Sequence, residues 1–252
     1  MFKLNANIAE IVGFFVADGC LQKNYICFWG NLSEDRNFYD YYLKKLFKQS
    51  FDINIKPHEK KSNSVYGFYV CNKEILNFFK KDLGFNPGSK TYSVRVPEII
   101  MGNEDNLIIA AFIRGFCAGD GCLTFGKCYG NCKEILSKIN TYPRIQLVSV
   151  SKDLIEDISV LLNRLGIKHF ISKRNSRKVN EVDSYLLQIS GKKRLEKWME
   201  IIGFSNANHQ TKYEIFKKHG FVPPFTTYED RKKILKGEIC PFSFYGPVAQ
   251  PG

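Results

Sequence analysis

The feature that most restricts what this chain can fold into is a motif present twice, 102 positions apart: Ile11-Val12-Gly13-Phe14-Phe15-Val16-Ala17-Asp18-Gly19 and Ile113-Arg114-Gly115-Phe116-Cys117-Ala118-Gly119-Asp120-Gly121. Both copies reduce to Gly-Phe-x-x-x-Asp-Gly. Each ends a mostly apolar helical run with a carboxylate followed by a glycine, the residue that most readily stops a helix. A repeated motif implies repeated structure, and two carboxylates related by pseudo-symmetry make a site for a cation. Taken alone, each Asp is simply the last residue of a buried helix. That placement is unfavourable, because a carboxylate there meets the negative end of the helix dipole and asks for a compensating positive charge.

The segments downstream repeat as well. Asn7, with Glu10 three residues on, has capping-box spacing ahead of an apolar run from Ile8 to Ala17. In the second copy Glu104 and Asp105 favour a helix start before Leu107 to Ala118. After the first motif the pattern predicts a strand at Tyr25 to Asn31 and a helix at Ser33 to Gln49. Strands at Ile53 to Lys56 and Val65 to Cys71 follow, then a helix at Lys73 to Leu83 ending at Gly84. The second half replays this order with a strand at Arg144 to Val150 and a helix at Lys152 to Leu165. Strands at Lys168 to Lys173 and Ser184 to Ile189 and a helix at Lys192 to Ile202 complete it. The second copy is 17 residues longer, and the excess falls between Leu123 and Pro143, at a hairpin tip where insertion costs least. Helices at Thr211 to His219 and Thr227 to Lys236 precede a tail rich in proline and glycine, to which we assign no function.

Charge and composition narrow the partner. The chain carries 37 Lys and Arg against 25 Asp and Glu, a net charge of +12, which points to a polyanion such as nucleic acid rather than a membrane. No apolar run is long enough to span a bilayer, so the expected location is intracellular and soluble, in cytoplasm or organelle matrix. The eight cysteines read as thiols of a reducing compartment, and Cys117, Cys122, Cys128 and Cys132 lack the knuckle spacing of a zinc site. The 21 Phe and 13 Tyr fall mostly on the buried phase of helices and strands and read as core. None of the four histidines has a motif spacing.

The paired motifs and the paired architecture behind them, over about residues 7–220, resemble the LAGLIDADG homing endonucleases of the single-chain, two-motif type. The resemblance implies an α+β fold of duplicated αββαββα half-domains, with two central packed helices and two antiparallel sheets forming a DNA-binding saddle. The expected boundaries are a first half at 1–102, a second at 103–220 and an extension at 221–252. Gly13 and Gly115 fit two helices that approach closely, which would bring Asp18 and Asp120 together around Mg2+, a hard cation suited to oxygen ligands. The consensus has a further Asp where this chain has Val16 and Ala118, but the metal-binding position is intact in both copies. Arg114 is polar for a packed helix and is expected to face the outside of the interface.

By the same resemblance the metal set is Asp18, Asp120, Gly19 and Gly121, and the catalytic set is Asp18, Asp120, Lys90 and Lys212, the lysines polarising the scissile phosphate. Asn31 and Ser149 are the nearest candidates to orient water. Mn2+ is expected to replace Mg2+, and Ca2+ to support binding without cleavage. Base and phosphate contacts are expected from the hairpins: Lys23 and Asn24; Lys56, His58, Lys60 and Lys61; Lys127, Arg144 and Gln146; and Lys173, Arg174, Arg177 and Lys178. The implied activity is a double-strand break with short 3′ overhangs by a monomer encoded in a mobile intron. Without terminal splicing residues, the chain reads as freestanding rather than embedded in an intein. The alternatives are an RNA maturase that binds intron RNA and a DNA-binding regulator with a relic nuclease core.

Overall fold

The computed structural model describes residues 2–60, 64–88, 92–127, 139–176 and 182–245. The first half opens with α1 (Ala6–Asp18), β1 (Gly19–Leu21) and β2 (Ile26–Asn31). A π-helical stretch (Phe38–Leu43) runs into α2 (Lys44–Phe51), followed by β3 (His58–Lys60) and β4 (Val65–Val70). Next comes α3 (Lys73–Asn77), prolonged by π-helical turns (Phe78–Asp82), and then a short α4 (Glu98–Met101). The second half repeats the order with α5 (Asn106–Asp120), β5 (Gly121–Lys127), β6 (Asn140–Ser149) and α6 (Lys152–Arg164). It continues with β7 (Phe170–Arg174), β8 (Ser184–Ser190) and α7 (Lys192–Ile201). Two further helices, α8 (Ala207–His219) and α9 (Tyr228–Lys236), complete the chain before a 3-10 turn at Pro241–Phe244.

Both sheets are four-stranded and antiparallel, ordered β1-β2-β4-β3 and β5-β6-β8-β7, so the expected duplicated α+β architecture is present. The inward faces differ in kind. Phe28 and Phe68 meet Phe14, Phe15 and Phe47 in the first half, whereas Ile145, Leu147, Leu187 and Ile189 meet an aliphatic α6 in the second. No helix among the described residues is long and apolar enough to cross a membrane.

Several boundaries depart from the sequence expectation for identifiable reasons. Asn5, not Asn7, caps α1: its backbone is extended and its side chain accepts from the Ile8 N–H at 3.0 Å. The strand expected at Ile53 to Lys56 begins instead at His58, because Pro57 has no N–H to give a ladder. α8 begins at Ala207 rather than Thr211, since Asn206 caps it and the Thr211 hydroxyl donates back to the Ala207 carbonyl. The extra hairpin length of the second half shows as β5 and β6, longer than β1 and β2; residues 128–138 lie outside the described residues.

α1 and α5 run side by side in the same direction. A Cβ on Gly13 would fall on the Phe112 carbonyl, and one on Gly115 on the Glu10 carbonyl, so only glycine lets these backbones touch. A helical glycine costs about 1 kcal/mol in propensity, which the close packing offsets. Arg114 does not face outward as expected. It lies inside the seam, where its Nε and Nη2 donate to Glu10 Oε2 at 3.0 and 2.5 Å while the Tyr42 hydroxyl donates to Glu10 Oε1 at 2.8 Å. The buried carboxylate dictates the position of the guanidinium, because a charge there needs a partner.

Each half also reaches across to the other after its last sheet helix. Residues 92–97 lie on the second half, where the Ser151 hydroxyl donates to the Val94 carbonyl and Arg95 forks onto Asp157 at 2.8 and 3.1 Å. In return, α8 lies on the first half, where Asn206 donates to Asp35 at 3.2 Å and Asn208 to the Glu34 carbonyl at 2.7 Å.

Candidate active site and nucleic-acid interface

Because α1 and α5 are parallel and in register, their C-termini finish together. A Cβ built on Gly119 would stand 2.7 Å from Asp18 Oδ2 and 2.6 Å from the Ala17 Cβ, so the Asp18 carboxylate lies against the residue that precedes Asp120. Asp18 is half-buried and Asp120 exposed. Asp120 lines a cavity of about 350 Å3 together with Ala17, Val94, Ser149 and Ser184. Among the described residues no cluster of three or more His, Cys, Asp or Glu forms a cage. The oxygens at these helix ends are the Asp18 and Asp120 carboxylates and nearby backbone carbonyls, the kind of hard donor that Mg2+ takes, one or two carboxylates at a time with water and phosphate in its remaining positions.

Gly19 is buried as the C-cap of α1, its N–H donating to the Phe15 carbonyl, and Gly121 occupies the same place after α5. The Gly121 backbone bonds to His209, a residue to which the sequence assigned no role. The His209 ring is buried, and burial followed by the nearby Lys212 and Arg231 charges pushes its pKa down to about 3, so it is neutral at ordinary pH.

Lys212 stands beside the same junction. Its Nζ donates to the Leu123 carbonyl at 3.2 Å, and burial, then the Arg231 charge, lowers its pKa. Lys90 lies outside the described residues. The Ser149 hydroxyl accepts from the Ser151 N–H at the rim of the Asp120 cavity, whereas Asn31 is committed to its own turn, accepting from Ser33 and Glu34. On the first-half side burial, then the charges of Asp18 and Asp35, holds the Tyr39 hydroxyl well above its ordinary pKa. Burial also raises the Asp35 carboxyl, against hydrogen bonds from Asn31 and Asn206.

The sheet registers sort the expected DNA contacts. Lys23 and Asn24 are exposed at the β1–β2 turn, and Lys56 is exposed just ahead of β3. His58 and Lys60 share the outward face of the first sheet with Trp29, Asn31, Cys27 and Tyr69. Arg144 and Gln146 point outward from β6, Arg174 outward from β7, and Lys127 is exposed at the end of β5. Lys173 departs from the expectation. It alternates onto the side of Ile171 and Leu187, the face the helices cover, and pairs with Asp183 at 2.6 Å. Lys61, Arg177 and Lys178 lie outside the described residues. Sequence reading missed Trp29, Tyr69, Gln188 and Ser190 on the outward faces. The period-two alternation that places Phe28 and Leu187 inside would have found them.

Comparison with known proteins agrees with this fold. Residues 108–203 match the model of the LAGLIDADG-like domain. The structure is similar to the I-LtrWI LAGLIDADG homing endonuclease bound to target DNA, with a TM-score of 0.55 at 18% identity, covering 93% of this chain and 97% of that one. It is also similar to I-DmoI in complex with DNA and Mn, with a TM-score of 0.52 at 18% identity, covering 80% and 98%. The replication factor C small subunit of Methanocaldococcus jannaschii is 29% identical over 203 residues, which are 80% of this chain and 10% of that protein. The chain spans between 10% and 23% of the length of the first three curated relatives it matches. It carries a LAGLIDADG-like domain and has the two-domain LAGLIDADG fold.

Proposed function

We propose that this chain is a site-specific homing endonuclease that makes a Mg2+-dependent double-strand break in a long DNA target, leaving short 3′ overhangs. The observation that supports the reading is the common end point of two parallel helices in a basic protein, where the Asp18 carboxylate lies against Gly119, the residue before Asp120. With domain boundaries at 1–102, 103–220 and 221–252, each half contributes one carboxylate and serves one strand. Asp18 and Asp120, with the Gly19 and Gly121 backbone, hold the cation, and bound Mg2+ supplies positive charge to the scissile phosphate and the departing oxygen. Lys212, and Lys90 in the first half, add charge from the flanks. The exposed basic hairpin residues neutralise phosphates, and the outward sheet faces enter the major groove. Mn2+ replaces Mg2+, Ca2+ supports binding alone, and the protein acts as an intron-encoded monomer.

The test is incubation with a randomised duplex library in Mg2+, recovering cut molecules, beside Asp18→Asn and Asp120→Asn. The wild type is expected to cut both strands of a defined site, and each substitution to reduce cutting by at least about a hundredfold while binding in Ca2+ persists. Undiminished cutting by both variants would remove the proposed chemistry. Tight binding of intron RNA with no cutting of DNA would promote the maturase reading.

A further inference from the structure

We infer that the first sheet recognises its half of the DNA target by apolar contact with thymine methyl groups, while the second sheet recognises its half by hydrogen bonds to base edges. This rests on the DNA reading above and goes beyond it, since it assigns each half a different chemistry of recognition.

The outward face of the first sheet is an aromatic platform. Register places Cys27 beside Tyr69, and Trp29 beside Gly67 and His58, all on the side away from the helices. Tyr69 packs edge-to-face on Tyr25 and Trp29 at 5.2 and 5.1 Å, Trp29 meets His58 at 5.4 Å, and the Lys60 ammonium lies 5.6 Å above the Trp29 ring. Tyr69 is 42% exposed even so, and the clustered rings around it make this a contiguous aromatic surface on the open face of the sheet. The rings hold one another in place, so ordering them on binding costs little entropy.

The polar groups that share this face are largely engaged: Asn31 accepts from Ser33 and Glu34, the His58 ring packs on Trp29 and Tyr69, the Gln22 amide donates to the Cys20 sulfur and the Lys60 ammonium lies over the indole. The second sheet has outward rings only at the starts of β6 and β7, Tyr142 and Phe170, and its centre is polar: Gln146 donates to Gln188 at 2.7 Å, Gln188 donates to Ser190 at 2.7 Å, and Arg144 stands beside them. Amides and guanidinium groups read purine edges in the major groove, whereas the apolar feature there is the C5-methyl of thymine. The first sheet is Gly67-notched, and the exposed lysines at its edges, Lys23 and Lys56, match a phosphate border. RNA carries no such methyl and its deep, narrow major groove excludes a sheet, so the platform fits duplex DNA.

The experiment uses the full chain and a duplex site selected in Ca2+ by binding. Thymines are replaced by uracil in one half-site at a time, which removes the methyl and leaves every hydrogen-bonding group. Binding is expected to weaken about three- to fourfold per contacted methyl in one half-site only. 7-Deazapurines are expected to weaken binding more in the other half. Photo-crosslinking from 5-iodouracil in the sensitive half is expected to label peptides containing Trp29, His58 or Tyr69. Equal tolerance of uracil in both halves, a selected site without thymine in the crosslinked half, or tighter binding of single strands than of duplex would overturn the inference. A methyl-sensitive protein that never cuts in Mg2+ would instead overturn the endonuclease reading and leave this one standing.

Discussion

The two sheets have one topology and opposite chemistry. On its inner face the first is built on phenylalanine and the second on isoleucine and leucine; at the centre of its outer face the first packs rings together and the second links amides, a hydroxyl and a guanidinium. The outward rings of the second, Tyr142 and Phe170, stand at the starts of β6 and β7. The seam between them combines both tendencies. Gly13 and Gly115 meet the opposite helix in the same way, but Glu10 and Arg114 have Phe112 and Val12 at the positions 102 residues away. Backbone contacts are thus shared by the two halves, and side-chain contacts are particular to each. The physical reason is that helix approach tolerates no atom beyond hydrogen at either glycine, whereas a sheet face can be surfaced in many ways without moving its backbone.

The sharpest way to break this comparison is to load the shared seam. Gly13→Val and Gly115→Val are each expected to cost roughly 3 kcal/mol or more, because the new side chain meets a carbonyl that cannot move without displacing its helix. Thermal unfolding of the two variants should give similar losses. A well-folded protein from one of them would show that the halves do not share the contact.

The unshared ion pair comes next. Glu10→Ala leaves the Arg114 guanidinium, only 26% exposed, without its carboxylate and is expected to cost about 2–3 kcal/mol. Combining it with Arg114→Met should recover most of that loss in a denaturant titration. A double variant as unstable as Glu10→Ala alone would mean that packing, not charge, holds the site.

The reciprocal arms give the smallest contrast. Asp157 accepts from Arg95 twice and from the Val96 N–H, so Asp157→Asn should cost about 1–2 kcal/mol after allowing for the exposure of Arg95. Asp35 accepts from neutral donors on both oxygens in a site whose burial already disfavours its charge, so Asp35→Asn, which turns an amide NH2 toward one of those donors, should cost about 1 kcal/mol. Equal losses in urea would erase the distinction between the arms.

Much of the fold could be read in the sequence because the duplicated motif and the hydrophobic periods act locally. The two motif helices, the succession of later strands and helices in each half and the placement of Asp18 and Asp120 at helix ends followed from residue type and spacing, while the four-stranded sheets were implied by the resemblance and β1 and β5 were not read as strands. The errors arose where one residue overrode the period. Pro57 delayed β3, and Asn5 and Asn206 moved two helix starts. Arg114 was misplaced because its environment is set by Glu10, 104 residues away. His209 was missed for the same reason: nothing near it in the chain shows that it would meet the Gly121 backbone.

The sequence by itself determined that there are two related halves, that each ends a central helix on a carboxylate, and that the whole is strongly basic. Helix periodicity, glycine placement and net charge are properties of the chain alone. Only the tertiary structure decided that Lys173 faces the helices, that Glu10 and Arg114 pair inside the seam, and that the first sheet centres its outer face on packed rings where the second centres on linked amides. Those outcomes depend on strand register and on helix approach, and both are set by contacts between residues far apart in the chain.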